Sequence, residues 1–371
     1  MGVIANVEDM RQLAERRLPR PIYQFMDSGS FDQTTKYANS EDFKALKFRQ
    51  RVLIDVAGRS QETTLLGQRS SMPVMISPVG TAAGLAGAGN GEIMAGQAAK
   101  AAGVPYGLSM LSLIAMEDVY REIDYPFWQH VMMFKDRGIQ QELIDRALAV
   151  NAPVFVVTVD WQVQSQIHNN LRNRLGERPP FGVAMQYLAK PGWALRLIRS
   201  GRKVGFGNLT GWKIEANTFS RYLDDGATWE YIAWIRQRWP RKLLIKGILD
   251  VKDARAAVAA GADGISVSNH GGTQLDGAPS AISILPGIVD AVGDDVEVFL
   301  DSGVRSGQDV AKAMALGARG CLIGRPYLFG LAAMGQAGVE KVLSIIRNEI
   351  DITMALTGCR SIKDIGPDIL C

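Results

Sequence analysis

Short apolar runs recur along the chain, each ending in polar or small residues. They are PVMISPVG (73–80), VPYGLSM (104–110), FWQHVMM (127–133), VFVVTVD (154–160), KLLIKG (242–247), GISVSN (264–269), EVFLDSG (297–303) and CLIGR (321–325). Between them stand segments of helical spacing with alanine-rich faces, such as EIMAGQAAKAAG, IQQELIDRALAV, VKDARAAVAAGA and SGQDVAKAMALGA. Parallel strands buried on both faces read as continuous apolar runs, and each needs a helix-length crossover to reach its neighbour. Eight such units predict an α/β fold, a (β/α)8 TIM barrel, over the competing doubly wound open sheet. AAGV, AAGADG and ALGARG each put a glycine after a helix and before the next run, where a left-handed C-cap is expected.

Two stretches depart from this rhythm. Residues 1–72 precede the first run and are expected to form an N-terminal helical cap. About 80 residues (161–240) separate the fourth and fifth runs, far more than one helix needs, which predicts an insertion or lid. Its part 178–214 carries Arg178, Lys190, Arg196, Arg199, Arg202, Lys203 and Lys213 with no acidic residue, interleaved with Trp193, Leu195, Leu197 and Ile198. A solvated basic lid over the barrel mouth suits this pattern best. The other reading is peripheral contact with an anionic membrane surface.

Composition narrows the field. A chain of 371 residues, 47% hydrophobic and 21% charged, is of ordinary globular type, and one barrel domain can span all of it. The formal charge of +3 gives no general attraction to nucleic acid. No run of about 20 apolar residues offers a membrane-spanning helix, and the polar start MGVIANVEDMRQLAERR lacks a signal-peptide pattern. Cys321, Cys359 and Cys371 have neither metal-ligand spacing nor a disulfide framework, which fits a reducing cytoplasm. No cluster of His, Asp and Glu has ligand spacing, so no metal is expected.

In such a barrel the carboxyl ends of the strands build the active site. Those ends hold Ser109, Gln129, Thr158, Asp160, Lys246, Ser268, His270, Asp301 and Arg325, a concentration of hydrogen-bonding groups on one rim. DSGVRSGQD (301–309) and LIGRP (322–326) add Gly303, Arg305, Gly307 and Gly324 ahead of helices, an arrangement that cradles phosphate. Beside that cradle His270, one of three histidines with His130 and His168, is expected to act as a base. Asp160 would hold its second ring nitrogen. Lys246 is expected to stabilise negative charge forming on a bound cofactor.

SNHGGTQLDG, with IKGILDVKDA before it and DSGVRSG, IGRP and ALTGCRSIKDI after it, resembles the FMN-dependent 2-hydroxy acid oxidases and dehydrogenases. Glycolate oxidase, lactate dehydrogenase and mandelate dehydrogenase belong to that family. The resemblance runs from PRPIYQFMDSGSFDQTT to the end, and the long insertion is most similar to the lactate and mandelate dehydrogenase branch, some of whose members are membrane-associated. It implies a non-covalent FMN across the mouth, with the backbone of Val79 and Gly80 against the flavin. Ser109, Gln129, Thr158 and Lys246 would hydrogen-bond the ring, Ser268 and His270 would lie near it, and Asp301 would bind the ribityl chain. Gly303, Arg305, Gly324 and Arg325 would hold the phosphate. His270, oriented by Asp160, would take the substrate hydroxyl proton, and Lys246 would stabilise the anionic reduced flavin. The resemblance also implies a tetramer of barrels.

The substrate side departs from the family. Thr273 stands where an arginine follows the histidine by three residues, and Ile167 where a second arginine follows TVD. Phe25 replaces an N-terminal tyrosine. The third-run tyrosine is also missing; the run reads one residue longer, leaving Val131 or Met132 in its place. A carboxylate in a dry site without an arginine is costly. These departures predict an oxidoreductase removing a hydride from an alcohol or amine carbon of a small molecule lacking the free 2-hydroxy carboxylate. Candidates are an ester, an amide, or a secondary-metabolite or peptide-derived alcohol or amine. The alternative is a conventional L-2-hydroxy acid oxidase or dehydrogenase with Arg172, Arg174 or His168 relocated to hold the carboxylate. A flavin-binding scaffold without catalysis fits less well, because FMN binding alone does not require both His270 and Asp160. Oxygen, a quinone or a carrier protein remain open as electron acceptor.

Overall fold

The computed structural model describes residues 2–175, 177, 179–212, 214 and 218–371; Arg178 and Lys213 of the basic run lie outside the described residues. All eight apolar runs form strands: β1 (Val74–Ile76), β2 (Gly107–Ser109), β3 (Trp128–Val131), β4 (Val154–Thr158), β5 (Lys242–Ile248), β6 (Gly264–Val267), β7 (Glu297–Asp301) and β8 (Gly320–Ile323). They pair in parallel in chain order, β8 pairs with β1, and an Ile76–Tyr106 bridge closes the ring ahead of β2. The α/β barrel is therefore the fold, and helices pack outside it. The predicted C-cap glycines 103, 261 and 317 all lie in the left-handed region.

The barrel interior is solid. Met75, Trp128, Val154, Val156, Leu244, Phe299 and Leu322 fill it, joined by Leu65 and Leu66 from the hairpin Thr63–Leu65/Gln68–Ser70. Each such side chain contributes roughly 1.5–3 kcal/mol by leaving water. Leu66 and Leu65 sit against Gly264 and Gly320, the first residues of β6 and β8, so the hairpin closes the amino end of the barrel. Only the carboxyl end stays open for chemistry.

Three helices, Val7–Arg17, Arg20–Asp27 and Thr34–Ala45, precede the hairpin. The stretch after β4 forms helices His168–Arg172, Phe181–Leu188 and Pro191–Arg199, then two short 3₁₀ turns before helix Trp229–Arg238. It is pinned to the barrel at two buried points. The Trp193 indole N–H donates to the Leu85 carbonyl (2.8 Å), and the Asn208 side chain bonds the Met116 amide (2.8 Å) and the Ser112 hydroxyl (3.0 Å). Among the described residues of 178–214, none lines the mouth, so the segment flanks the opening instead of roofing it. Its surface mixes exposed Phe181, Met185, Leu188, Leu195 and Ile198 with exposed Arg196, Arg199 and Lys203. No described helix is long and apolar enough to cross a membrane.

Candidate active site

The carboxyl ends of the strands surround a cavity of about 210 Å³ that opens to solvent. His270 follows β6 in the left-handed region (φ 58°), an uncommon conformation for a non-glycine residue that marks a constrained site. Its amide donates to Ser268 Oγ (3.1 Å), and its carbonyl accepts from Thr273 Oγ1 (2.7 Å). Its Nδ1 lies 3.0 Å from Asp160 Oδ1. The ring edge meets Trp161 in a T-shaped contact with centroids 5.0 Å apart. With Nδ1–H given to Asp160, the lone pair of Nε2 is left free; no described residue bonds it.

Asp160 reaches that position because Gly247 makes room. The strand pairing shifts register between Lys246 and Ile248, Gly247 adopts φ 108°, and a Cβ there would sit 2.5 Å from Asp160 Cγ. The same kink leaves Lys246 pointing into the barrel mouth. Its ammonium lies 2.9 Å from Asp301 Oδ2 and 3.2 Å from Ser268 Oγ, and Ser268 Oγ donates to Asp301 Oδ2 (2.6 Å). Burial alone would push both charges toward neutrality. For Lys246 the Asp301 and Asp160 carboxylates outweigh burial and hold it above its ordinary value. For Asp301 burial is likewise outweighed, by Lys246 and the Ser268 hydrogen bond, and its carboxyl lies below the usual range. The mouth thus keeps Lys246 and Asp301 both ionised as a buried pair beside its floor.

The third strand differs from expectation. Trp128 belongs to the interior cluster, and a period of two then turns His130 and Met132 to the mouth while Gln129 and Val131 face the helix layer. Ser109 pairs with His130 in regular register, so no bulge interrupts this pairing. Gln129, expected on the cofactor, is fully buried away from the mouth, with its side-chain N–H on the His130 carbonyl (2.9 Å). His130 takes its place: Nδ1 lies 3.3 Å from Ser109 Oγ and Nε2 2.9 Å from Thr158 Oγ1. Burial, with the nearby Lys246 and His270, keeps its imidazole well below the ordinary histidine range, hence neutral at pH 7. Strand alternation counted from Trp128 was the signal that could have found it.

Opposite, Val79, Gly80, Ser302, Gly303, Arg305, Gly324 and Arg325 line the wall. Gly303 is left-handed (φ 89°), and a Cβ there would come 2.0 Å from the Asn39 carbonyl oxygen. Arg325 is already engaged: Nη1 donates to the Gly271 carbonyl and Nη2 to that of Ser28, both at 2.8 Å. Its own amide opens helix Arg325–Met334, whose start has no side-chain cap. Arg305 has no carboxylate within 4.0 Å among the described residues, and burial followed by the Arg325 charge lowers its guanidinium to about 10. The Arg305 guanidinium, glycine-lined loops and the uncapped start of helix Arg325–Met334 suit a phosphate. Ser268 and Thr158 lie beneath the surface, supporting Lys246 and His130 instead of lining the mouth.

The remaining wall is apolar and uncharged: Phe25, Leu111, Met132, Trp161, Ile167 and Thr273, with Gln164 as a neutral amide. Met26, Trp161 and Gln164 were not anticipated. The relocated cations considered above are absent from this wall. Arg172 is exposed and bonds Asn169 Oδ1 (3.2 Å), Arg174 is exposed, and His168 stacks edge-on with Phe31.

A family profile described as FMN-dependent dehydrogenase matches residues 14–371. The chain belongs to this family. An L-lactate dehydrogenase of Azorhizobium caulinodans is 40% identical over 99% of this chain and 98% of its own. A solved monotopic membrane protein, (S)-mandelate dehydrogenase, superposes with a TM-score of 0.94 at 36% identity over the whole of both chains. An arginine-to-leucine mandelate oxidase with 2-hydroxy-phenylacetamide superposes at 0.84, with 32% identity, over 100% of this chain and 98% of its own. FMN is the family's cofactor, and the phosphate-type wall, the open cavity and the buried Lys246 fit it. As a member of the family, the protein is an oxidoreductase acting on CH–OH donors.

Proposed function

We propose that the protein oxidises the CH–OH carbon of a 2-hydroxyacyl compound, with His270 as the base. The observation that carries this reading is the His270–Asp160 pair: Nδ1 anchored at 3.0 Å leaves Nε2 to accept the hydroxyl proton. Asp160 orients the ring and stabilises the imidazolium that forms. Lys246, kept charged in the mouth by Asp301, would offer its ammonium to negative charge forming on the cofactor. Ser109, Gly303, Arg305, Gly324 and the Arg325 amide would hold FMN, with Val79 and Gly80 against it. FMN supplies the acceptor for the hydride that leaves the substrate carbon.

The lactate and mandelate dehydrogenase relatives favour a free 2-hydroxy acid, the alternative of the two substrates considered from sequence. A second reading, a neutral amide or ester, is favoured by the wall of Phe25, Met132, Ile167 and Thr273, which offers a carboxylate no cation. The amide held by the arginine-to-leucine mandelate oxidase is in keeping with it. Replacing Ile167 and Thr273 together with arginine tests the two. If neutral substrates are native, the variant gains roughly tenfold or more in kcat/KM for mandelate over its amide. An unchanged preference, in a protein that still binds FMN, removes these positions from substrate choice.

Exposed Phe181, Leu188 and Ile198 beside Arg196, Arg199 and Lys203 support a peripheral membrane contact through 178–214, consistent with a quinone as acceptor. Co-sedimentation with anionic vesicles, reduced by Leu188→Glu with Ile198→Glu, is the expected result; equal binding by the variant removes the contact.

A further inference from the structure

We propose that His130 is a positioning residue of the cofactor pocket: it relays hydrogen-bond polarity from Thr158 to Ser109, so that the Ser109 hydroxyl donates into the mouth. The inference rests on the FMN-binding role proposed for Ser109. The three residues stand on neighbouring strands β2, β3 and β4, with Ser109 directly opposite His130 and Thr158 reaching it diagonally from the next strand.

A neutral imidazole has one N–H donor and one lone-pair acceptor, so it can serve two hydroxyls in only two ways. If Nε2 carried the proton, Thr158 Oγ1 would accept it, and the threonine proton would have no acceptor among the described residues, because His130 is its one partner there. Thr158 is buried, and leaving a buried donor unpaired is costly. The opposite tautomer satisfies every group. Thr158 donates to Nε2, Nδ1–H donates to Ser109 Oγ, and Ser109 Oγ also accepts the Leu111 amide (3.2 Å). With both lone pairs of Ser109 occupied, its proton points to the remaining direction, the cavity that Ser109 lines. A rigid donor is therefore presented to the cavity, where bound FMN would accept it.

The test uses FMN affinity and the flavin absorption band, not turnover. His130→Phe and Ser109→Ala are each expected to weaken FMN binding roughly tenfold and to shift the band in the same direction. The double variant should be no worse than Ser109→Ala alone, because both act through one hydroxyl. His130→Gln, whose amide can donate to Ser109 and accept from Thr158, should restore binding. Wild-type affinity in folded His130→Phe, or fully additive losses, overturns the relay. Nitrogen NMR of isotope-labelled histidine in the FMN-loaded wild type decides the matter even if the phenylalanine variant does not fold. It should show His130 neutral with the proton on Nδ1, and a proton on Nε2 contradicts the proposal. A wild type without FMN affinity removes the underlying reading along with the relay.

Discussion

His270→Ala is expected to leave a yellow, folded protein whose flavin is reduced by substrate about 10²–10⁴ times more slowly, the usual contribution of a positioned base. The side chain is partly exposed to the mouth, with Nδ1 on Asp160, so its removal opens space and leaves the Asp160 carboxylate facing only the charge of the nearby Lys246. The Lys246–Asp301–Ser268 cluster does not depend on the imidazole, although the His270 amide does bond Ser268. FMN content should therefore stay near that of the wild type. Stopped-flow reduction under anaerobic conditions separates the two properties. Undiminished reduction would take the base role from His270.

The other large effect is on stability. Asp301→Asn removes the carboxylate 2.9 Å from Lys246 and leaves a buried ammonium with only Ser268 and the more distant Asp160. Breaking one partner of a buried pair costs about 3–5 kcal/mol, which lowers Tm by several degrees in a domain of this size. The pH dependence follows from the directions of the two shifts. The Asp301 carboxyl is depressed, so its contribution is present above the unfolded value of about 3.9 and is lost as pH falls through the folded one. Lys246 is raised, so its contribution is present below about 10.4 and is lost as pH rises through its folded value. The Tm gap between wild type and variant should accordingly narrow in strong acid; it should also narrow as pH rises, because burial, no longer offset by Asp301, lets Lys246 of the variant shed its proton. Scanning calorimetry of flavin-free protein checks this; a gap that fails to narrow in acid would take the Asp301 carboxylate out of the stability account.

Much of the architecture was legible because parallel barrel strands are buried on both faces. Runs such as VFVVTVD and EVFLDSG must be apolar along their length, and the next polar residue marks the mouth. Asp160, Lys246, His270 and Asp301 were found on that rule. Gln129 does not follow it: the run offers a hydrogen-bonding residue there, but the alternation from Trp128 through His130 to Met132 turns it to the helix layer. Arg325 shows a different limit. Its place before a helix was plain, but its use by the carbonyls of Ser28 and Gly271 depends on chain segments far apart in sequence. The insertion gave its charge pattern and length, yet its anchors, Trp193 on Leu85 and Asn208 on the loop after β2, are tertiary contacts that no local pattern announces.

FMN held in this barrel is proposed to take electrons from a 2-hydroxyacyl carbon. The most direct measurement is anaerobic addition of L-lactate, (S)-mandelate and their amides to the purified flavoprotein while the visible flavin absorbance is followed. Bleaching by the acid or the amide of at least one of them is predicted, and which of the two bleaches faster assigns the substrate wall. A bound flavin that none of the four compounds reduces, or a protein that binds no FMN, would contradict the account.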